Sequence, residues 1–266
     1  MNEATYEEIL PENNPNLKRE YWDVAFGLQE VDGLKPSKYL RELSEEHIRG
    51  EKTYEEIKEK LANYYETTEN DDSKEADDVS AEIYKILENG AFRFDLLTFK
   101  DYHKRLFGDL NPEIYHPGEF RTVNLKKKEA VLGGETVEYQ DFGLLEESLK
   151  YDFEEQSKIN LSELEKSAFV ENIANFTSRI WQVHPFFEGN TRTTAVFIQK
   201  YLRSLGFKID NELFKNHSLY FRNALVRANY NNYEKSVFAN LEFLEKFFEN
   251  LLFNAENNLD NKNLYI

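Results

Sequence analysis

The chain has 266 residues, 40% of them hydrophobic and 15% aromatic, enough to bury one large domain or one ordinary domain with a small module. Fifty acidic residues against 33 basic ones leave a net charge of −17, which argues against a nucleic-acid partner, because phosphate contacts need clustered Lys and Arg. The absence of cysteine removes disulfides, thiolate zinc sites, iron–sulfur clusters and cysteine nucleophiles together.

The first ten residues, "MNEATYEEIL", lack the basic start and apolar run of a signal peptide, and no stretch approaches the roughly 18 apolar residues of a membrane span. The expectation is a soluble, cytoplasmic protein with no membrane partner.

In chain order, "REYWDVAFGLQEV" puts Trp22, Ala25, Phe26 and Gln29 at helical spacing before "DGLKP" breaks the pattern. Ser37 reads as the N-cap of a second helix that Gly50 ends, and "TYEE" from Thr53 reads as a capping box opening a third, with Ile57, Leu61 and Tyr64 as its apolar stripe. Three short helices hold little core alone, so the module of residues 1–66 is expected to dock on the rest. Residues 1–80 carry 22 Asp and Glu against 10 Lys and Arg, and "ETTENDDSKEADD" has no large apolar residue. Residues 67–79 are therefore expected to be a solvated acidic linker.

The main domain is expected over residues 80–256. A helix should end at Gly90 and another start at Asp95; "FRTVNLKKKEAVLGGETVEY" then places β-branched residues around Gly133-Gly134, the pattern of a β-hairpin. "SELEKSAFVENIANFTSRIWQV" begins with a second apparent capping box, Ser162 to Glu165, and continues as a strongly apolar helix. Further helices follow from near Asn190 or Thr191 and from about Asp210 and Tyr233, and residues 257–266 read as a polar tail that frays. The fold class expected is mainly α.

Between two helices read as buried stands "HPFFEGNTR", residues 184–192. Pro185 and Gly189-Asn190 make it a loop, and the helix that follows offers unpaired N–H groups and a positive dipole end to an anion. Arg192 can add a bidentate phosphate contact, Glu188 is a hard oxygen ligand of the kind Mg²⁺ accepts beside a polyphosphate, and His184 is suited to take a proton near neutral pH. His184 and Glu188 in isolation would read as a buried pair; Gly189-Asn190 and Arg192 beside them favour a site. His103 reads as a packing or surface residue, and the "KKK" run at 126–128 as a solvated loop, with contact to a phosphate or a target as the alternative.

The stretch resembles the signature of Fic domains, His-x-Phe-x-(Asp/Glu)-Gly-Asn-x-Arg, at every position. The resemblance spans roughly residues 94–240 and implies a fold of about six helices with a hairpin flap, here "GEFRTVNL" onward. It implies transfer of AMP from ATP to a Ser, Thr or Tyr hydroxyl of a target protein, with His184 as general base and Glu188 as the Mg²⁺ ligand. Gly189, Asn190, Thr191 and Arg192 would hold the phosphates, Phe186 would anchor the loop, and Tyr220 and Asn229 in "YFRNALVRAN" would border the nucleobase. Ala195 stands where many members carry a second arginine for the outer phosphates, which keeps open transfer of another nucleotide or a phosphate, removal of AMP, or nucleotide binding without turnover.

The N-terminal module resembles the antitoxin that accompanies some Fic toxins, with Asp32-Gly33 at the position of an inhibitory Glu-Gly and Leu28 in place of its Ser or Thr. The partners this implies are ATP, a target protein, an intramolecular contact with the module, and a second copy of the chain as a homo-oligomer.

Overall fold

The computed structural model describes residues 14–68, 72–209 and 211–266. Among them the regular structure is helical: α1 Pro15–Gly27, α2 Lys38–Ile48, α3 Tyr54–Thr67, α4 Lys74–Glu88, α5 Leu96–Phe107, α6 Pro112–Tyr115, α7 Leu145–Lys158, α8 Lys166–Val183, α9 Asn190–Ser204, α10 Asn211–Ala228 and α11 Glu242–Phe253. No helix among the described residues is long and apolar enough to cross a membrane.

Several helix starts follow local chemistry. The Asn14 side chain accepts from the N–H groups of Asn16 and Leu17 while Pro15 supplies a preset first turn, Ser37 caps α2, and Asp95 caps α5. The Thr53–Glu56 capping box is formed in both directions, with bonds of 3.2 and 2.7 Å. The second expected box does not form: α8 begins at Lys166 with Glu165 at the cap position, and Ser162 instead lies in a 3-10 turn, bonded to Asn160 at 2.8 Å.

α9 lies at the centre. Every residue from Asn190 to Leu202 is buried, so it is surrounded by α5, α8 and α4 rather than presenting one stripe. The apolar core runs without interruption from Trp22, Leu40 and Ile57 of the first helices to Phe186, Phe197 and Phe248. α1 is sealed onto α10 by close backbone approach: a Cβ on Gly27 would lie 2.5 Å from the Cα of Lys215, and Ser218 Oγ donates to the Gly27 carbonyl at 2.6 Å. α1 also packs on α4, where Trp22 stacks on Tyr84 at 4.6 Å.

Three expectations need correction. The acidic stretch read as a solvated linker is helical from Lys74, with Asp77 and Asp78 buried; residues 69–71 lie outside the described residues. Asp77 accepts from the Ser37 N–H and the Tyr65 hydroxyl, both at 2.7 Å, and Asp78 pairs with Lys74, so tertiary partners stand in for water. The hairpin around Gly133-Gly134 is absent among the described residues. Residues 118–141 form a loop in which a local turn closes from Glu129 N–H to Glu135 O at 2.8 Å, while the outer backbone bonds go elsewhere, from Arg121 N–H to Pro185 O at 2.8 Å and from Gln140 N–H to Gln182 O at 3.4 Å. The tail is seated rather than frayed: Leu259 and Leu264 are buried, Arg227 donates to the Leu264 carbonyl at 2.7 Å, and the Ile266 N–H reaches Val131 O at 3.2 Å.

Candidate active site

Helix α8 ends at Val183 and the chain turns through His184, whose φ of 49° and ψ of 57° are left-handed. A non-glycine residue there costs about 1–3 kcal/mol and persists only where neighbours hold it. Arg121, itself buried, supplies that hold. Its Nε donates to the His184 carbonyl at 2.8 Å and its Nη1 to Val123 O at 2.6 Å, and Nη2 reaches Gln140 O.

The imidazole of His184 stacks on Tyr139 with 3.9 Å between ring centroids, and its Nδ1 is buried with no hydrogen-bond partner. Burial, and then the positive charges of Lys127, Arg121 and Arg222, hold its pKa well below the ordinary imidazole value, so the resting ring is neutral and able to accept a proton.

The rest of the loop is fixed from beneath. Phe186 is fully buried and stacks on His103 at 3.7 Å, nearly parallel. His103 Nδ1 accepts from the Gly118 N–H at 2.9 Å, so Nε2 carries the proton and donates to the Glu188 carbonyl at 3.1 Å. Burial drives the His103 pKa down to about 3. Asn190 exchanges both amide bonds with the Phe186 backbone, at 3.0 and 2.9 Å, and Thr191 Oγ1 accepts from Trp181 Nε1 at 3.0 Å. Gly189 has φ of +73°, and a Cβ there would fall 2.0 Å from the Phe107 ring. Gly189, Asn190 and Thr191 thus use these groups to shape the loop.

Glu188 and Arg192 line one pocket of about 520 Å³, together with Asp32, Glu75, Lys127 and Arg222. The Glu188 carboxylate is exposed and makes no ion pair or side-chain hydrogen bond among the described residues. Partial desolvation raises its pKa, and Asp32 and Glu75 add to the rise against the pull of Lys127 and Arg192.

Arg192 is only 1% exposed, and each of its three nitrogens lies against an oxygen of the protein. Its Nε lies 2.9 Å from Asp32 Oδ2, Nη1 donates to Gln29 Oε1 at 3.1 Å, and Nη2 donates to Glu75 Oε1 at 2.6 Å. The guanidinium also sits over the Phe107 ring at 5.0 Å. Asp32 and Gln29 come from the turn after α1 and Glu75 from the start of α4, so two segments of the first third of the chain close on one arginine.

The two residues expected at the nucleobase do not line this pocket. Tyr220 is buried with its hydroxyl donating to Phe243 O at 3.2 Å, and Asn229 donates to Ser178 Oγ and Leu225 O, both at 2.9 Å. Ala195 is buried inside α9. Nothing in the sequence singles out Arg121, Glu75 or Arg222; His103, read as a packing or surface residue, does pack on Phe186, and Lys127, half-buried between exposed Lys126 and Lys128, belongs to the lysine run for which phosphate contact is the alternative reading.

Residues 93–202 match the model of the Fic/DOC family. Among solved structures, the chain is similar to the N-terminal FIC domain of Bep8, a VirB-translocated effector from Bartonella sp. 1-1C, at 18% identity and a TM-score of 0.50 over 73% of this chain and 85% of that one. It is also similar to a FIC domain containing signaling protein from Bacteroides thetaiotaomicron VPI-5482, at 15% identity and a TM-score of 0.56 over 90% of this chain and 85% of that one. No curated protein matches it. The family match, with the loop from His184 to Arg192 inside it, leads to one conclusion: residues 93–202 form a Fic domain, of a family that in general transfers phosphate-containing groups onto proteins.

Proposed function

We propose that the chain transfers AMP from ATP to a Ser, Thr or Tyr hydroxyl of a protein, with Mg²⁺, and that the contacts of Asp32 and Glu75 hold this activity back at rest. The observation that carries the reading is the sharing of one pocket by Glu188 and Arg192, with the neutral His184 on the same loop and within the field of the pocket's cations.

In the proposed reaction His184 accepts the proton of the target hydroxyl as that oxygen attacks the α-phosphorus. The new O–P bond forms while the bond from the α-phosphorus to the bridging oxygen breaks, and pyrophosphate leaves with the electron pair. Arg192 and the N-terminus of α9 face the charge that develops on the phosphoryl oxygens. Glu188 fits a magnesium ligand, since its carboxylate is exposed and unpaired, and Mg²⁺ would supply charge neutralisation of the phosphates. Among the described residues no group of three acidic or histidine ligands could hold a metal unaided, so the ion would arrive with the nucleotide.

Arg192 can turn its Nε edge to a phosphate only after giving up Asp32, while Gln29 and Glu75 hold its two terminal nitrogens. That requirement supports regulation by the N-terminal module and the α4 start, acting on Arg192. The test is ATP binding by the full chain, by calorimetry with Mg²⁺ and then with EDTA. The reading expects weak binding that tightens when Asp32 is replaced by alanine and weakens when metal is removed. Failure of the Asp32→Ala chain to bind ATP would overturn it.

A further inference from the structure

Asp32 is the meeting point of charges from three separate elements. Its Oδ2 faces Arg192 Nε of α9 at 2.9 Å and its Oδ1 faces Lys127 Nζ at 3.6 Å, so one carboxylate bridges a helix guanidinium and a loop ammonium. Arg222 of α10 stands in the same pocket, tied to Glu129 at 2.7 Å. Burial raises the Asp32 pKa, yet the attraction of Arg192, Lys127 and Arg222 outweighs it and leaves the group below the usual carboxylate range. The three cations therefore act together at one point.

Their other partners differ. Arg192 retains Glu75 and Gln29 when Asp32 withdraws, and Arg222 retains Glu129. Lys127 has no other ion pair among the described residues. Its side chain is 42% exposed at the pocket, so its flexible stem can follow an incoming anion. Withdrawal of Asp32 leaves Lys127 without its ion pair, in the same pocket as an Arg192 that keeps only Glu75 and Gln29. The anion suited to that gap carries more than one charge and presents oxygens toward both cations, as a phosphate chain does.

We infer that Lys127 is a binding residue for the phosphate chain of the nucleotide, taking with Arg192 the place that the Asp32 carboxylate fills at rest. This rests on the nucleotide reading above and adds a residue to it. The arrangement makes affinity depend on phosphate count: a monophosphate engages one cation, whereas a triphosphate reaches both.

The test uses full-length chain carrying Asp32→Ala, so that the resting contact does not mask the site, and compares it with the same chain also carrying Lys127→Ala or Lys127→Arg. Calorimetry with Mg²⁺ measures AMP, a non-hydrolysable ATP analogue and inorganic tripolyphosphate. Loss of one charge-assisted contact predicts that Lys127→Ala weakens the ATP analogue and tripolyphosphate about 10-fold or more, leaves AMP unchanged, and is largely rescued by Lys127→Arg. Equal affinity of parent and Lys127→Ala for both polyphosphates would overturn the assignment. Lys127-dependent binding of tripolyphosphate without binding of the ATP analogue would uphold the anion site and sink the nucleotide reading. Binding of none of the three would sink both.

Discussion

The guanidinium of Arg192 is held 2.9 Å from the carboxylate of Asp32, so the arginine of the Fic loop is occupied by an acid from the chain's own first third. Both groups are largely shielded from water, where such a pair is screened little by salt. Removing Asp32 alone leaves Arg192 with Glu75 and Gln29, so the fold should survive. Asp32→Ala is therefore expected to tighten ATP binding by about 10-fold or more, the size of one charged contact, at a small cost in melting temperature. Equilibrium titration checks this, and unchanged affinity would remove Asp32 from the account.

His103 joins α5 to two backbone groups of the site, accepting from the Gly118 N–H and donating to the Glu188 carbonyl. Phenylalanine could keep the stack on Phe186 but not either bond. His103→Phe is expected to lose about 1–3 kcal/mol of stability for the unsatisfied buried groups. Nucleotide turnover should fall further than the loss of folded protein explains, because Glu188 is no longer fixed. Chemical denaturation together with turnover per folded molecule measures both, and wild-type values for each would count against a positioning role.

Acid should unfold the protein in a way that reports on the same histidine. Burial holds His103 down to about 3, and burial with the charge of Lys18 holds His47 down to about 4, so both stay neutral in the folded chain while the unfolded chain protonates them near 6.5. A depressed folded pKa of a base means that its contribution is fully present above about pH 6.5 and is lost as pH falls, since the unfolded state then binds more protons. Stability from pH 7 to 4 should fall more steeply in the parent than in His103→Phe. Parallel curves would contradict the assigned neutral state.

Gly189 is required for two reasons at once, a φ of +73° and the Phe107 ring where a side chain would begin. Gly189→Ala is expected to push the loop off Phe107, costing about 1 kcal/mol or more and lowering nucleotide affinity. Thermal melts and titration of the variant would show it, and a chain with parental melting temperature and affinity would mean that the loop tolerates the shift.

Much of this site was legible locally. The caps at Ser37, Thr53 and Asp95 are read within a few residues, and "HPFFEGNTR" could be placed between two buried helices from spacing alone. What escaped was set by distant partners. Gly133-Gly134 does turn the chain, with φ of +63° and +93°, and the Glu129 N–H reaches Glu135 O across the turn at 2.8 Å, but farther out Arg121 and Gln140 bond to the segment around His184 rather than to each other. Asp77, Asp78 and Glu75 look solvated in sequence because Ser37, Tyr65, Lys74 and Arg192 are the groups that satisfy them. Asp32 was expected at an inhibitory position facing Ala195; instead the acid meets Arg192.

The most direct test of the central claim is the fate of the two ends of ATP. Full-length chain carrying Asp32→Ala, incubated with Mg²⁺ and a protein mixture, is supplied with ATP labelled at the α- or the γ-phosphate, alongside the same chain also carrying His184→Ala. The account predicts protein labelled from the α-position and not the γ-position, with the signal reduced about 10²- to 10⁴-fold by His184→Ala, as expected for loss of a general base. Label from the γ-position alone, or α-label that persists without His184, would contradict it.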